Sequence, residues 1–219
     1  MEFYHVINRG VEKRNIVIND GDRMRFVKSL YVFNDSASSP NSKTQPKMYE
    51  NVHRHRNLLV HIHAWCLMDN HYHLLLSPVD NDLANLSLFM KKLNGGYAKY
   101  FNEKYDRSGY LWQGKYKKIL IERDSHFIHI PYYIHLNPLD YTNKEWRKGK
   151  IKNIKSALKK LHEYRWSSFL DYTGTKNFPS LIKQYFLKEI LGSKSHHEKE
   201  ILKIISDENL ASGSQIIEK

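Results

Sequence analysis

Two apolar runs, residues 58–68 and 71–77, are separated only by Asp69 and Asn70. Asp and Asn side chains bond their own backbone and suit tight turns, so this spacing predicts an antiparallel β-hairpin and commits the chain to a sheet. Alternate residues of a strand share a face. His71 and His73 therefore project together, close enough to share one metal ion, while Leu74, Leu75 and Leu76 anchor the strand in a core. The spacing alone is weak evidence. The chain holds 13 histidines in 219 residues, and chance would yield roughly one His-x-His pair. Three occur: His53/His55 among charges, His61/His63 in the first strand of the hairpin, and His71/His73 in the second.

The remaining pattern places elements around that hairpin. Residues 3–8 read as a strand, and Asn19 or Asp20 caps a helix running to about Phe33. Residues 34–56 are polar and Ser-rich, an insertion. Asp82 starts a helix with Leu83, Leu86, Phe89, Met90, Leu93, Tyr97 and Phe101 at helical spacing, and Gly95-Gly96 predicts a bend or a close backbone approach within it. Short strands are expected at 110–112 and 116–121. A helix follows from Asp124 or Ser125 to Asn137, with a kink at Pro131. Further helical segments lie at 154–164 and 179–191, and the last ~15 residues read as frayed. The order β, α, β, β, α, β, α predicts an α+β, ferredoxin-like antiparallel sheet with helices packed on one face, plus C-terminal helical additions. Residues 1–145 form the expected catalytic domain, and 146–219 a helical extension.

Charge points to the partner. The formal net charge is +12, and Lys and Arg bind phosphates by releasing counterions, so the expected partner is nucleic acid. Cys66 is the single cysteine, which excludes an internal disulfide or a Cys-based zinc site; a buried thiol in a reducing cytoplasm is expected. No segment approaches the ~18 continuous apolar residues of a membrane span, and Met1 to His5 does not read as a signal peptide.

The helix before Pro138 carries Tyr132, Tyr133 and Asn137. Tyr133 and Asn137 are four apart, hence on one helical face. With His71 and His73 they make a coherent set: two imidazoles and an amide oxygen for a divalent ion, and a phenol beside them. A metal polarises phosphate oxygens, and the phenol, with an ordinary pKa near 10, needs activation to attack.

The chain resembles the single-tyrosine HUH transposases, and more closely their REP-associated tyrosine transposase branch. The resemblance runs through Tyr4-His5-Val6-Ile7-Asn8-Arg9-Gly10, then His63 to Leu75 across Asp69-Asn70-His71-Tyr72-His73. It continues at Gly109-Tyr110-Leu111-Trp112-Gln113-Gly114-Lys115-Tyr116, at Tyr133-Ile134-His135-Leu136-Asn137-Pro138, and weakly at Tyr164-Arg165-Trp166-Ser167-Ser168. It implies that His71 and His73 are the metal pair, that Tyr133 rather than Tyr132 is the nucleophile, and that Asn137 is the third ligand. Further, it implies Mg²⁺ or Mn²⁺, cleavage and rejoining of single-stranded DNA near hairpins through a 5′-phosphotyrosine, and action as a monomer or homodimer. The histidines would also accept zinc. On that reading Arg9, Arg14, Lys91, Lys92, Arg107, Gln113, Lys115, Lys117 and Lys118 are candidate DNA contacts, and Tyr110 and Trp112 candidate stacking rings.

The sequence departs from the family in three places. Leu139-Asp140-Tyr141-Thr142 replaces the usual Val-Arg-Ala-Gly, so a basic residue is missing at 140; Asp69 replaces Pro; and the 34–56 insertion is long. Two other classes compete with a transposase: a non-catalytic nucleic-acid-binding regulator on the same fold, and a metal-dependent hydrolase that does not use Tyr133. The position of the Tyr133 hydroxyl relative to the histidines separates them.

Overall fold

The computed structural model describes residues 1–37, 56–122 and 124–212. Most of the insertion expected at 34–56, with His53 and His55, lies outside the described residues, as do 213–219. Strands β1 (Tyr4–Arg9), β2 (Val60–Leu67), β3 (His71–Pro78) and β4 (Lys117–Leu120) form one antiparallel sheet in the order β2-β3-β1-β4. Helix α1 (Asp20–Val32) connects β1 to β2, and α2 (Leu83–Lys104) connects β3 to β4. This is the expected ferredoxin-like order, with β1 and β3 central.

Strand parity sorts the side chains. Tyr72, Leu74 and Leu76 of β3 face α1 and α2: the Tyr72 ring lies 5.1 Å from that of Phe26, and its hydroxyl donates to Asn94 Oδ1 at 2.7 Å. His71 and His73 face the other way. There, α3 (Asp124–Leu136) crosses the sheet. A single helical layer therefore describes α1 and α2, while α3 covers the opposite face; the apolar runs of β2 and β3, buried on both sides, are the physical reason.

Local chemistry explains most boundaries. Asn19 caps α1 through a reciprocal pair with Asp22, and Asp82 caps α2 through the Ala84 N–H. Helix α2 runs unbroken through Gly95-Gly96, and Gly96 serves close approach: a Cβ there would sit 2.5 Å from the Phe33 ring. Helix α3 likewise passes Pro131 without a break, and Asn137–Tyr141 continues it as a 3-10 turn. The strand expected at 110–112 is only an isolated bridge between Gly10 and Trp112.

Beyond α3, a second 3-10 turn (Lys144–Lys148) leads to α4 (Ile154–Glu163), α5 (Phe169–Tyr172), α6 (Gln184–Leu191), α7 (Lys194–Ser206) and α8 (Glu208–Ser212). The division drawn at 145/146 falls inside that second turn. Part of this region closes the sheet. Leu67 N–H donates to Trp166 O at 2.9 Å, Ser168 N–H to Trp65 O at 2.9 Å, and Lys183 N–H to Ile62 O at 2.8 Å, satisfying backbone groups along the outer edge of β2. Among the described residues no helix is long and apolar enough to cross a membrane.

Candidate metal and nucleophile site

The register of β1 against β3 pairs Ile7 with His73 and Arg9 with His71. His5, Ile7 and Arg9 thus share the face that presents His71 and His73. The two histidine rings of β3 stand 5.0 Å apart at 83°. His71 Nδ1 contacts Asn70 Oδ1 at 2.6 Å. His73 is buried, and its Nδ1 lies 3.1 Å from His5 Nε2.

That contact decides what His73 can offer. Its Nε2 is buried and has no hydrogen-bond partner among the described residues. If His73 donates its Nδ1–H to His5, the Nε2 lone pair is left for a metal. Burial, followed by the nearby His71, His5, Arg147 and Arg9, holds the His73 pKa well below the usual range, and burial lowers that of His5 to about 3. Both rings are therefore neutral near pH 7, the form in which imidazole binds metals.

Helix α3 supplies the other half. The Tyr133 ring stands edge-on to His73, with centroids 5.5 Å apart. The ring is buried, 2% exposed, yet its hydroxyl is not lost in apolar surroundings: Arg147 Nη1 donates to Oη at 3.1 Å. Asn137 Nδ2 donates to the Tyr133 carbonyl at 2.9 Å, and Asn137 Oδ1 accepts from Arg147 Nη2 at 3.3 Å. Tyr133 and Asn137 therefore meet on one helical face around a shared guanidinium. Tyr132 points elsewhere, stacked on His197 at 5.0 Å beside the C-terminal helices.

Two imidazoles and an amide oxygen are donor types that divalent ions accept. Among the described residues no three His, Cys, Asp or Glu side chains gather around one point, so a third donor must be of another type. The Asn137 amide oxygen is an oxygen donor of the kind hard cations prefer, and it accepts from Arg147 Nη2 at 3.3 Å. The alternative pair is committed elsewhere: His63 Nε2 lies 2.8 Å from Ser77 Oγ and His61 Nε2 3.1 Å from Lys183 Nζ, on either side of a bulge in β2.

The expected DNA contacts separate into groups. Arg9, Gln113, Lys115 and Lys117 line a groove of about 340 Å³ with Ile7, Asn8 and Gly114, next to His71 and His73 in the sheet register. Lys91 and Trp112 line an adjoining depression that shares Asn8, Gly114 and Lys115. Arg14 and Lys118 are exposed, and Tyr110 is 87% exposed. Three residues are engaged in packing. Lys92 is buried and donates to the carbonyls of Asp35 and Ser36 at 2.8 and 2.9 Å. Trp112 donates to Asn94 O at 2.9 Å and packs on Tyr72. Arg107 donates to Asn102 Oδ1 at 2.9 Å and lies over the Phe101 ring.

Three site residues escaped sequence reasoning: His5, Asp140 and Arg147. His5 carries a weak signal, since it falls on the same strand parity as Arg9. Asp140 and Arg147 carry none, because each sits in a 3-10 turn of five residues, too short for its period to show in the sequence. Asp140, standing where the family's basic residue is missing, instead accepts from Arg147 Nε at 3.0 Å and Nη2 at 2.6 Å.

The model of the family described as IS200-like transposases matches residues 41–137, the segment that contains His71, His73, Tyr133 and Asn137. A solved structure described as a REP-associated tyrosine transposase bound to a REP hairpin is similar at 13% identity, with a TM-score of 0.45 and 82% of each chain covered. No curated protein matches the chain.

Proposed function

We propose, from the IS200-like match and the site geometry, that this chain is a DNA transposase that cuts and rejoins single strands beside hairpins through a Tyr133 phosphotyrosine. The observation that carries the reading is Tyr133 of α3 standing edge-on to His73 of β3, with His71 beside His73 and Asn137 one turn after Tyr133, bonded to its carbonyl. A pure packing face would not bring a phenol against two imidazoles, one with a buried nitrogen that has no hydrogen-bond partner among the described residues.

His71, His73 and Asn137 would hold Mg²⁺ or Mn²⁺. When bound, such an ion polarises the non-bridging oxygens of a phosphodiester and draws off charge that builds up during displacement. The chain's own residues do the rest. His5 fixes the tautomer of His73. Tyr133 Oη attacks the scissile phosphorus, the 3′-oxygen leaves, and the 5′-phosphate stays on the protein. Arg9, Lys115 and Lys117 line a groove beside the histidines and would bind the backbone of the incoming strand. Because the Tyr133 ring is 2% exposed, the phosphate reaches Oη only when groups over the hydroxyl shift.

The test is incubation with end-labelled single-stranded hairpin DNA and Mg²⁺ or Mn²⁺. A DNA–protein adduct that survives denaturant is expected, and Tyr133→Phe should abolish it. An undiminished adduct in that variant would overturn the assignment of the nucleophile. Absence of any adduct from the wild-type chain, with hairpin binding intact, would favour the non-catalytic regulator.

A further inference from the structure

We propose that Arg147 is a catalytic residue of this site: its guanidinium, held by Asp140, carries the negative charge of the Tyr133 oxygen as the phosphotyrosine bond forms and breaks. The inference rests on the strand-transfer reading given above.

The arrangement is more specific than a surface ion pair. Asp140 takes two guanidinium donors, Nε and Nη2, and is itself fixed by the fully buried Trp146, whose Nε1–H donates to Asp140 Oδ1 at 2.7 Å. The guanidinium lies over the Trp146 ring at 4.7 Å. Those contacts immobilise the cation, which is what a planar, forked group allows and a lysine would not. Nη2 also donates to Asn137 Oδ1, and Nη1 donates to Tyr133 Oη. The phenol oxygen accepts in that bond, so the cation faces a lone pair of Oη and not its proton. The sequence departs from its family at this point: Asp140 replaces a basic residue, and the positive charge arrives instead from seven residues later.

The chemistry balances without a further reactant except water. In cleavage the P–Oη bond forms and the P–O3′ bond breaks; the phenol proton passes to water, and the 3′-oxygen takes a proton from water. In rejoining, a 3′-hydroxyl attacks the phosphotyrosine and its proton passes to water; the P–O3′ bond forms, the P–Oη bond breaks, and Tyr133 departs with its electron pair and takes a proton from water. Charge gathers on Oη on both paths, at the atom Arg147 already touches. A preorganised donor at a developing oxyanion is worth about 10²–10³ in rate.

The experiment compares adduct formation, rejoining and hairpin binding in Arg147→Gln, Arg147→Lys and Arg147→Gly. Arg147→Gln should slow adduct formation and rejoining about 100-fold or more while hairpin affinity stays within about threefold. Arg147→Lys should recover part of the rate, and added guanidinium ion should restore activity to Arg147→Gly but not to Tyr133→Phe. Wild-type rates in Arg147→Gln would overturn the inference and leave the strand-transfer reading standing. A loss of hairpin affinity equal to the loss of rate would also overturn it, making Arg147 a phosphate contact. Equal slowing in all three variants, unrelieved by guanidinium, would reduce Arg147 to a packing residue. A wild-type chain that forms no adduct would overturn both readings.

Discussion

At the scale of single residues, His5 matters through the atom it leaves alone. Its Nε2 lies 3.1 Å from His73 Nδ1, so where His73 donates in that contact its other nitrogen keeps a lone pair. Partners of this kind orient metal ligands, and their loss commonly costs 10- to 100-fold in affinity. His5→Phe should therefore weaken Mn²⁺ binding by about that factor, read by titration of the DNA-free protein with electron paramagnetic resonance, while His5→Gln, which keeps an acceptor, should lose less. Equal affinity in His5→Phe and wild type would show that His5 only fills space. Asp69 is another residue whose role the sequence hid. It pairs with Arg23 at 2.6 Å, and its carbonyl accepts from Ile16 and Val17, so the hairpin turn is tied to the segment entering α1. A proline at 69 would lack both the carboxylate and the N–H that donates to Tyr141 Oη at 2.8 Å.

At the scale of elements, α1 and α2 are joined by one buried carboxylate. Asp22 accepts from Tyr100 at 2.8 Å and Lys104 at 2.5 Å through Oδ1, and from Tyr105 at 2.6 Å and the Ile18 N–H at 2.8 Å through Oδ2. Burial alone would raise its pKa, but the bonds from Lys104, Tyr105, Ile18 and Tyr100 outweigh burial and lower it to about 2. A carboxylate whose folded pKa is depressed stabilises the fold above its unfolded pKa, near 3.9, and that stability is lost as pH falls through the folded value. Asp22→Asn should thus cost about 2–3 kcal/mol in urea unfolding at pH 7. The gap from wild type should narrow between about pH 4 and pH 2. A pH-independent gap would mean that shape rather than charge is responsible. The elements themselves were largely readable. Capping at Asn19 and Asp82, the 58–77 hairpin and the helical period before Pro138 all correspond to observed structure. The strand expected at 110–112 was not found: Trp112 packs against Asn94 and Tyr72, while Tyr110 is exposed to solvent and joins no ladder. Helix α7, absent from the sequence reading, was obscured by a polar start, Lys194 to Glu200, ahead of its buried Ile201, Ile204 and Ile205.

At the scale of the whole molecule, the net charge of +12 is distributed so that part of it borders the site. Arg9, Lys115 and Lys117 meet in one groove, whereas Lys92 is spent on backbone carbonyls inside the protein. Hairpin affinity should fall steeply with salt, as expected for phosphate contacts. Lys115→Ala should lower the magnitude of the log–log salt slope by about 0.7–1, whereas a surface substitution outside the groove, Lys155→Ala, should leave it unchanged. Equal slopes in both would place the DNA elsewhere on the surface.

The sequence by itself determined which residues share a face, because strand and helix periods are local: His71 with His73 at period two, Tyr133 with Asn137 at one helical turn. Family resemblance then ranked that set above His61 and His63. Only the tertiary structure decided that the Tyr133 face of α3 lies over the His73 face of the sheet, opposite α1 and α2. Likewise it alone brought His5 from 68 residues away and Arg147 from a short 3-10 turn. Those placements follow from how apolar faces stack and where buried polar groups find partners, conditions that involve the whole chain at once and leave no mark in any one segment of it.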